Sequence, residues 1–438
     1  MTIPVSIGAR YESDVTDHTL AGAGVCRVDG YTVFVDGAVK GERVAFEPYR
    51  VTAKYAAARL LHTLLPSPAR TQPFCAHYGQ CGGCALQFVD YARHLEILRD
   101  GLAAALRRVP DIGDIPPIAA MERPFHYRCK AVFTAAVRDG RIRVGFLSEK
   151  SHIVTPVDDC PLLHPPLMEA ARAVEREVGQ PASPLAAAGL SQVMVRAGLR
   201  THERMIALRT LRPLSRAGGR ELAARLPGID SLYAAAGKGA YRLVAGAPFI
   251  TEKILGLTLR ISPDAFFQVN PLQTDTLYRM VREHVGDVRP ELLLDAYCGT
   301  GSIGLTAAGA AREVIGVESV AAAVADAREN ARMNGIGNAS FRQGMAEDVL
   351  PEMLRAGARP GMIIVDPPRR GVHAALIDAA AAARVPHIVY VSCNPFTLAR
   401  DLIALTARGY RVASVRGVDL FPWTGKVECV VLMSKNRG

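Results

Sequence analysis

The sequence contains no run of 18 or more apolar residues free of charge, which excludes a membrane-spanning helix of ordinary length. Its start, MTIPVSIGARYESDVTD, carries no basic-then-apolar leader, so a cytoplasmic rather than a secreted protein is expected. Internal repeats and long low-complexity tracts are also missing, which sets aside repeat architectures. The nine cysteines are an odd number in a 438-residue chain, so metal binding and catalysis suit them better than a disulfide framework. What the sequence does have is a hydrophobic fraction of 49%, enough core for two or three soluble domains, and a monomer is expected.

The net charge of +10 is unevenly spread: between residues 111 and 260, 21 Lys and Arg stand against 14 Asp and Glu. Within that stretch, RPFHYRCKAVFTAAVRDGRIR places Arg128, Lys130, Arg141 and Arg143 close to Phe125, His126 and Tyr127. Cations mixed with stackable rings suit a phosphate backbone with unpaired bases, so RNA is a candidate partner. A solvated charged hairpin has the same composition.

The pattern along the chain divides it into three. Residues 1–66 carry short β-branched runs punctuated by glycine, the signature of a small OB-like β-barrel. The proline-rich LPSPARTQP (65–73) reads as a linker into residues 67–262, which pass through a cysteine cluster and an amphipathic helix over 90–108 with Leu95, Leu98, Leu102 and Leu106 on one face, and continue as an α+β region. Residues 263–438 alternate strand and helix in four units, which predicts an α/β Rossmann-like, mainly parallel sheet.

In the third region LLLDAYCGTGSIG follows a strand and spaces Gly299, Gly301 and Gly304 as G-x-G-x-x-G, and the next strand ends in Glu318, positioned for ribose hydroxyls. A dinucleotide dehydrogenase would show both features. IIVDPPRRGV separates the two readings, because paired prolines hold Asp366 rigidly at the carboxyl edge of the sheet, where a nicotinamide enzyme has no evident need of them. In YVSCNPFTLARDL, Cys393 stands between an apolar strand and a helix-opening Asn-Pro, a position expected to lower its pKa and raise its thiolate fraction. Cys75, Cys81 and Cys84 are spaced C-x5-C-x2-C, and Cys160 completes a four-thiol set that suits zinc or an iron–sulfur cluster equally by spacing. Cys26, Cys129, Cys298 and Cys429 read as small apolar residues.

Taken in order, DAYCGTGSIGL, VIGVE, DPPRRG, VSCNPFTLARDL and VECVVLM resemble the S-adenosylmethionine-dependent RNA uracil-C5 methyltransferases. The N-terminal barrel resembles that family's TRAM domain, and FCAHYGQCGGC its iron–sulfur segment, which favours [4Fe–4S] over zinc at the four cysteines. The resemblance implies that Cys393 attacks carbon 6 of uracil, that Glu428 later removes the carbon 5 proton, and that Asp366 fixes the uracil or the cofactor's charged end. It further implies that Gln268, Tyr297, Gly299, Gly301 and Glu318 meet S-adenosylmethionine and that Phe266 packs on a base. Ser302 stands where the family often has asparagine, so its cofactor contact is the least secure of these. Ribosomal RNA is favoured as substrate by the barrel and cysteine segment, with transfer RNA second. Rival readings are a nicotinamide-dependent oxidoreductase and a nonenzymatic RNA-binding protein, neither of which requires both Cys393 and Glu428.

Overall fold

The computed structural model describes residues 3–148 and 153–436. Near the N-terminus six strands form one sheet in the order Tyr11–Asp14, Arg43–Val51, Tyr55–Leu65, Tyr31–Asp36, Ala23–Val28 and Asp17–His18. Alternate residues point inward, so Val33, Val35, Val44, Phe46, Ala56 and Ala58 are fully buried in a core of their own. The sheet curls on itself far enough for the Ser13 hydroxyl to donate to the Arg27 carbonyl at 3.0 Å.

A central seven-stranded sheet runs Arg242–Gly246, Ser231–Ala236, Arg204–Thr210, Leu190–Ala197, Lys130–Arg138, Arg141–Leu147 and Val154–Pro156. Helices Pro165–Val178, Pro184–Ala188 and Arg216–Arg225 cover one face through Leu167, Leu185 and Leu222. The opposite face presents Met194, Met205 and Tyr233 to the hairpin Ile250–Ile254/Leu257–Ile261 and to helix Pro271–Val288.

The third sheet positions the site. Five strands are parallel, in the order Ala339–Gln343, Glu313–Glu318, Leu292–Ala296, Met362–Val365 and His387–Ser392. Two more follow antiparallel: Glu428–Lys435 beside His387–Ser392, and Tyr410–Val418 at the edge. Chain direction along the sheet reverses between Leu292–Ala296 and Met362–Val365, and such a switch point opens a crevice at the carboxyl ends of the strands. The alternation holds five strand–helix units rather than the four expected. The additional one is Ala339–Gln343 with Ala346–Arg355; as an edge strand burying only Phe341, it has no apolar run to announce it.

The helix expected over 90–108 spans Tyr91–Leu106, and Asp90 caps it by accepting from the Arg93 amide at 2.7 Å. Its Leu98, Leu102 and Leu106 pack with Leu398, Leu402 and Val415, so a helix from the cysteine-bearing region completes the core of the third sheet. No helix among the described residues is long and apolar enough to cross a membrane.

Candidate active site

A cavity of about 740 Å³ lies at the carboxyl edge of the third sheet. Cys393 reaches it directly after strand His387–Ser392, and Asp366 directly after Met362–Val365. Glu428 arrives at the same edge by the opposite route: its strand is antiparallel, so its first residue lies where its neighbours end, and Ser392 pairs with Cys429. Cys393 and Glu428 therefore stand side by side on adjacent strands.

The turn that carries the thiol is built locally. Asn394 accepts from the Phe396 amide at 3.1 Å and caps helix Pro395–Thr406, while its side-chain amide donates to the Arg369 carbonyl at 3.1 Å. Thr397 Oγ1 donates to the same carbonyl at 3.2 Å, so the DPPRR turn is pinned to the Cys393 turn. The expected depression of the Cys393 pKa is reversed. Burial pushes the thiol up, the Glu428 and Asp366 carboxyl groups push it further, and the nearby Arg369 offsets only part of this. Glu428 is itself raised well above the carboxylate range by burial and by Asp366, and burial lifts Asp366 to about 7. Burial thus favours the neutral forms of the thiol and of both carboxyl groups, with Asp366 adding to the effect at Glu428.

On the other side of the cavity the glycine turn performs separate tasks. Gly299 (φ 56°) has open space where a Cβ would be, and its amide donates to Glu318 Oε2 at 3.1 Å. Gly301 (φ 77°) is needed for packing instead, since a Cβ there would sit 2.9 Å from the Phe341 ring. Gly304 donates to Asp295 Oδ2 at 2.9 Å and closes the turn against the strand. Glu318 thus shapes the loop, also accepting from the Val320 amide at 2.8 Å, while still facing the cavity. The open cradle over Gly299, flanked by Tyr297 and Glu318, fits a nucleoside-bearing cofactor.

Gln268, Phe266 and Arg128 line the cavity as well, and the Phe266 ring is 67% exposed. Gly301 and Ser302 do not line it; the Ser302 hydroxyl lies 2.8 Å from that of Tyr278, which turns it from the cofactor contact expected of it. The basic residues also divide. Arg143 is committed to Asp158 at 2.7 Å and Glu175 at 2.8 Å, so its charge is not open to phosphate, whereas Arg141 is exposed and away from the cavity. Lys130 lies outside the lining and faces Arg196 across the strand pair, and burial together with Arg196 lowers its pKa to about 8. Sequence reasoning overlooked Arg369, Phe421 and Lys426, which line the cavity. Arg369 stands inside the DPPRRG motif and Lys426 opens KVECVVLM, so the signal was available for both; nothing in FPWTG points to Phe421.

Cys75, Cys81, Cys84 and Cys160 lie within electrostatic reach of one another: burial raises Cys84 to about 12, with Cys160, Cys81 and Cys75 adding to it. Four soft donors in one place match a thiophilic metal or cluster by chemistry. Among the described residues, however, no group of three or more His, Cys, Asp or Glu side chains is set to hold a metal ion. The remaining four cysteines are buried, in keeping with a packing role.

Fold and cavity together define a methyltransferase that uses S-adenosylmethionine. A family profile described as tRNA (Uracil-5-)-methyltransferase matches residues 256–436. An RNA methyltransferase of Listeria monocytogenes is 36% identical, with 98% of each chain covered, and one of Clostridium acetobutylicum is 33% identical, with 99% of this chain and 98% of that one covered. Among solved structures, the Pyrococcus abyssi tRNA (uracil-54, C5)-methyltransferase in complex with S-adenosyl-L-homocysteine superposes with a TM-score of 0.77 at 25% identity, covering 96% of this chain and 99% of that one. The chain belongs to the RNA uracil-5-methyltransferase family.

The two glycines yield a test. Gly299→Ala introduces a methyl group into the cradle as well as a left-handed alanine costing about 1–2 kcal/mol. It is expected to weaken S-adenosylhomocysteine binding about tenfold or more in calorimetry. Gly301→Ala, which strikes Phe341, is expected to act mainly by lowering the melting temperature.

Proposed function

We propose that the chain methylates carbon 5 of a uridine in RNA through a covalent Cys393–uracil adduct that Glu428 resolves. The observation carrying this reading is that Cys393 and Glu428, on paired strands, border the cavity that also contains the Gly299–Glu318 cradle. Carbon 5 of uracil is too weak a nucleophile to take a methyl group unaided. Addition of the Cys393 thiolate at carbon 6 forms a sulfur–carbon bond and moves the ring's π electrons onto the carbonyl as an enolate, which is nucleophilic at carbon 5. S-adenosylmethionine supplies the methyl group and, as a sulfonium cation, favours the ionised thiol and carboxylates that burial otherwise suppresses. Once carbon 5 is methylated, Glu428 takes the remaining proton, the ring double bond re-forms and the thiolate leaves. Asp366, whose charge acts on Glu428, contacts the uracil or the charged end of the cofactor. Gln268, Tyr297, Gly299 and Glu318 hold the cofactor.

On the RNA side, Phe266 supplies an exposed ring for a base, and Arg128 lines the cavity with its Nε buried and without a hydrogen-bond partner among the described residues. Lys130 and Arg141 support the phosphates at greater distance. Residues 1–66, 67–262 and 263–438 are read as a TRAM-type barrel, a central RNA-binding region and the methyltransferase domain. The resemblance of the first two to the ribosomal branch favours 23S ribosomal RNA, and the likeness to the Pyrococcus enzyme favours transfer RNA as the second reading. Mapping 5-methyluridine in both RNAs from a deletion strain decides between them.

The order of steps predicts how the variants fail. Cys393→Ala should abolish methyl transfer and leave cofactor binding nearly intact. Glu428→Gln should add and methylate but fail to release, giving a protein–RNA band that survives denaturing electrophoresis, carries the methyl label and disappears when Cys393→Ala is added. Wild-type turnover in Glu428→Gln, or inactivity without an adduct, removes Glu428 from the late-base role. For the four thiols, a [4Fe–4S] cluster remains the reading their chemistry supports. Anaerobically purified protein should be brown, absorbing broadly near about 400 nm. Stoichiometric zinc without iron reverses that assignment.

A further inference from the structure

Glu428 is reached through the segment 419–427, and that segment is held at its centre by Trp423, the one tryptophan in the chain. Its backbone has φ 68°, a left-handed conformation that a bulky residue adopts only when its surroundings impose it. The surroundings come from the cysteine-bearing region. The amides of Ala85 and Leu86, immediately after Cys84, donate to the Trp423 carbonyl at 3.0 and 3.1 Å. The Phe74 ring, immediately before Cys75, meets the indole edge-on with centroids 5.2 Å apart. The indole Nε1 donates to the Pro124 carbonyl at 2.8 Å, and Cys84 and Cys160 pack against the same buried cluster.

On either side of this anchor the segment faces the cavity, through Phe421 before it and through Lys426 and Glu428 after it. Other hydrogen bonds hold it as well, two of them from the third region: Asn270 Nδ2 donates to the Leu420 carbonyl at 3.0 Å and Gln273 Nε2 to the Asp419 carbonyl at 3.1 Å. Tyr127 donates to the Pro422 carbonyl at 3.1 Å, and Asp419 accepts from Tyr91 at 2.8 Å and lies 3.1 Å from His94 Nε2. Tyr127, Tyr91 and His94 belong to the central region or its helix, so this wall of the cavity takes part of its shape from chain outside the third sheet.

We propose that Trp423 is a positioning residue that couples the segment around Cys75–Cys84 to the cavity wall carrying Phe421, Lys426 and Glu428, so that the arrangement of that segment sets the alignment of Glu428. The proposal rests on the reading of Glu428 as the late base. It identifies a route by which a change at the thiols, whether ligation or oxidation, reaches the chemistry without touching the cofactor cradle, which lies on the opposite side of the cavity.

Phe74→Ala, Trp423→Phe and Trp423→Ala test it in the full chain. Trp423→Ala is expected to lower kcat about tenfold or more, the scale on which small misplacements act. S-adenosylhomocysteine affinity should stay within about twofold, and the methylated protein–RNA adduct should accumulate as in Glu428→Gln. Trp423→Phe, which keeps a ring, should recover most of the rate. Phe74→Ala should shift the emission of the single tryptophan and lower kcat, and should add nothing further in the Trp423→Ala background. Wild-type kcat in Trp423→Ala overturns the proposal, as do additive losses or a parallel fall in cofactor affinity. Should Trp423→Ala fail to fold, Phe74→Ala decides alone, because its ring is 38% exposed and its loss is tolerable: shifted emission with unchanged kcat overturns the coupling. Absence of an adduct in Glu428→Gln would sink the late-base reading instead, and the kcat and double-variant arms still judge the coupling.

Discussion

The pairing of Glu428–Lys435 with His387–Ser392, in which Ser392 faces Cys429, sets the acid next to the thiol, and the rest of the site depends on it. In a purely parallel sheet the start of a strand lies at the far edge from the crevice; only a reversed strand brings its first residue to the carboxyl ends of its neighbours. A slip of one residue would send Glu428 to the other face of the sheet and bring Cys429 or Val427 to the cavity. Cys429, Val430, Val431 and Met433 are fully buried, so the strand is packed in the core on both of its faces.

That placement has an electrostatic consequence. Glu428, Asp366 and Cys393 are three groups whose anionic forms burial opposes; Asp366 further raises Glu428, and both acids further raise Cys393. Burial favours the neutral thiol in the unliganded site. The same dryness makes the site responsive to charge, since a cation placed among these groups shifts all three toward their ionised forms.

Several elements outside the third sheet contribute to this site. The helix Tyr91–Leu106 completes its core, the loop carrying Phe266 and Gln268 is backed by Arg196, which donates to the Ser262 and Ala265 carbonyls at 3.2 and 3.0 Å, and Trp423 ties the wall to the cysteine segment. Arg196 is fully buried with a guanidinium bonded to carbonyls rather than to a carboxylate, an expensive arrangement that makes the loop's backbone position hard to change. The cavity is therefore assembled from the third sheet together with parts of the central region.

By itself the sequence determined the features that depend on local chemistry: the strand–glycine-turn–helix at 292–304, the proline-stiffened Asp366, the cysteine at a strand end, and the leucine face of the helix after Asp90. Turn residues and hydrophobic periodicity encode these directly, since each needs only neighbours within a few positions. Tertiary structure alone decided the rest. The fifth strand–helix unit was hidden because an edge strand needs little apolar surface. Arg143 lost its phosphate role because Asp158 and Glu175 reach it from elsewhere in the central region. Ser302 turned to Tyr278, a partner 24 residues away. The thiol's pKa rose rather than fell because burial, and after it two carboxyl groups brought in from other strands, oppose its ionisation. In each case the deciding partner is distant along the chain, and long-range charge and burial are the terms that a local pattern does not carry.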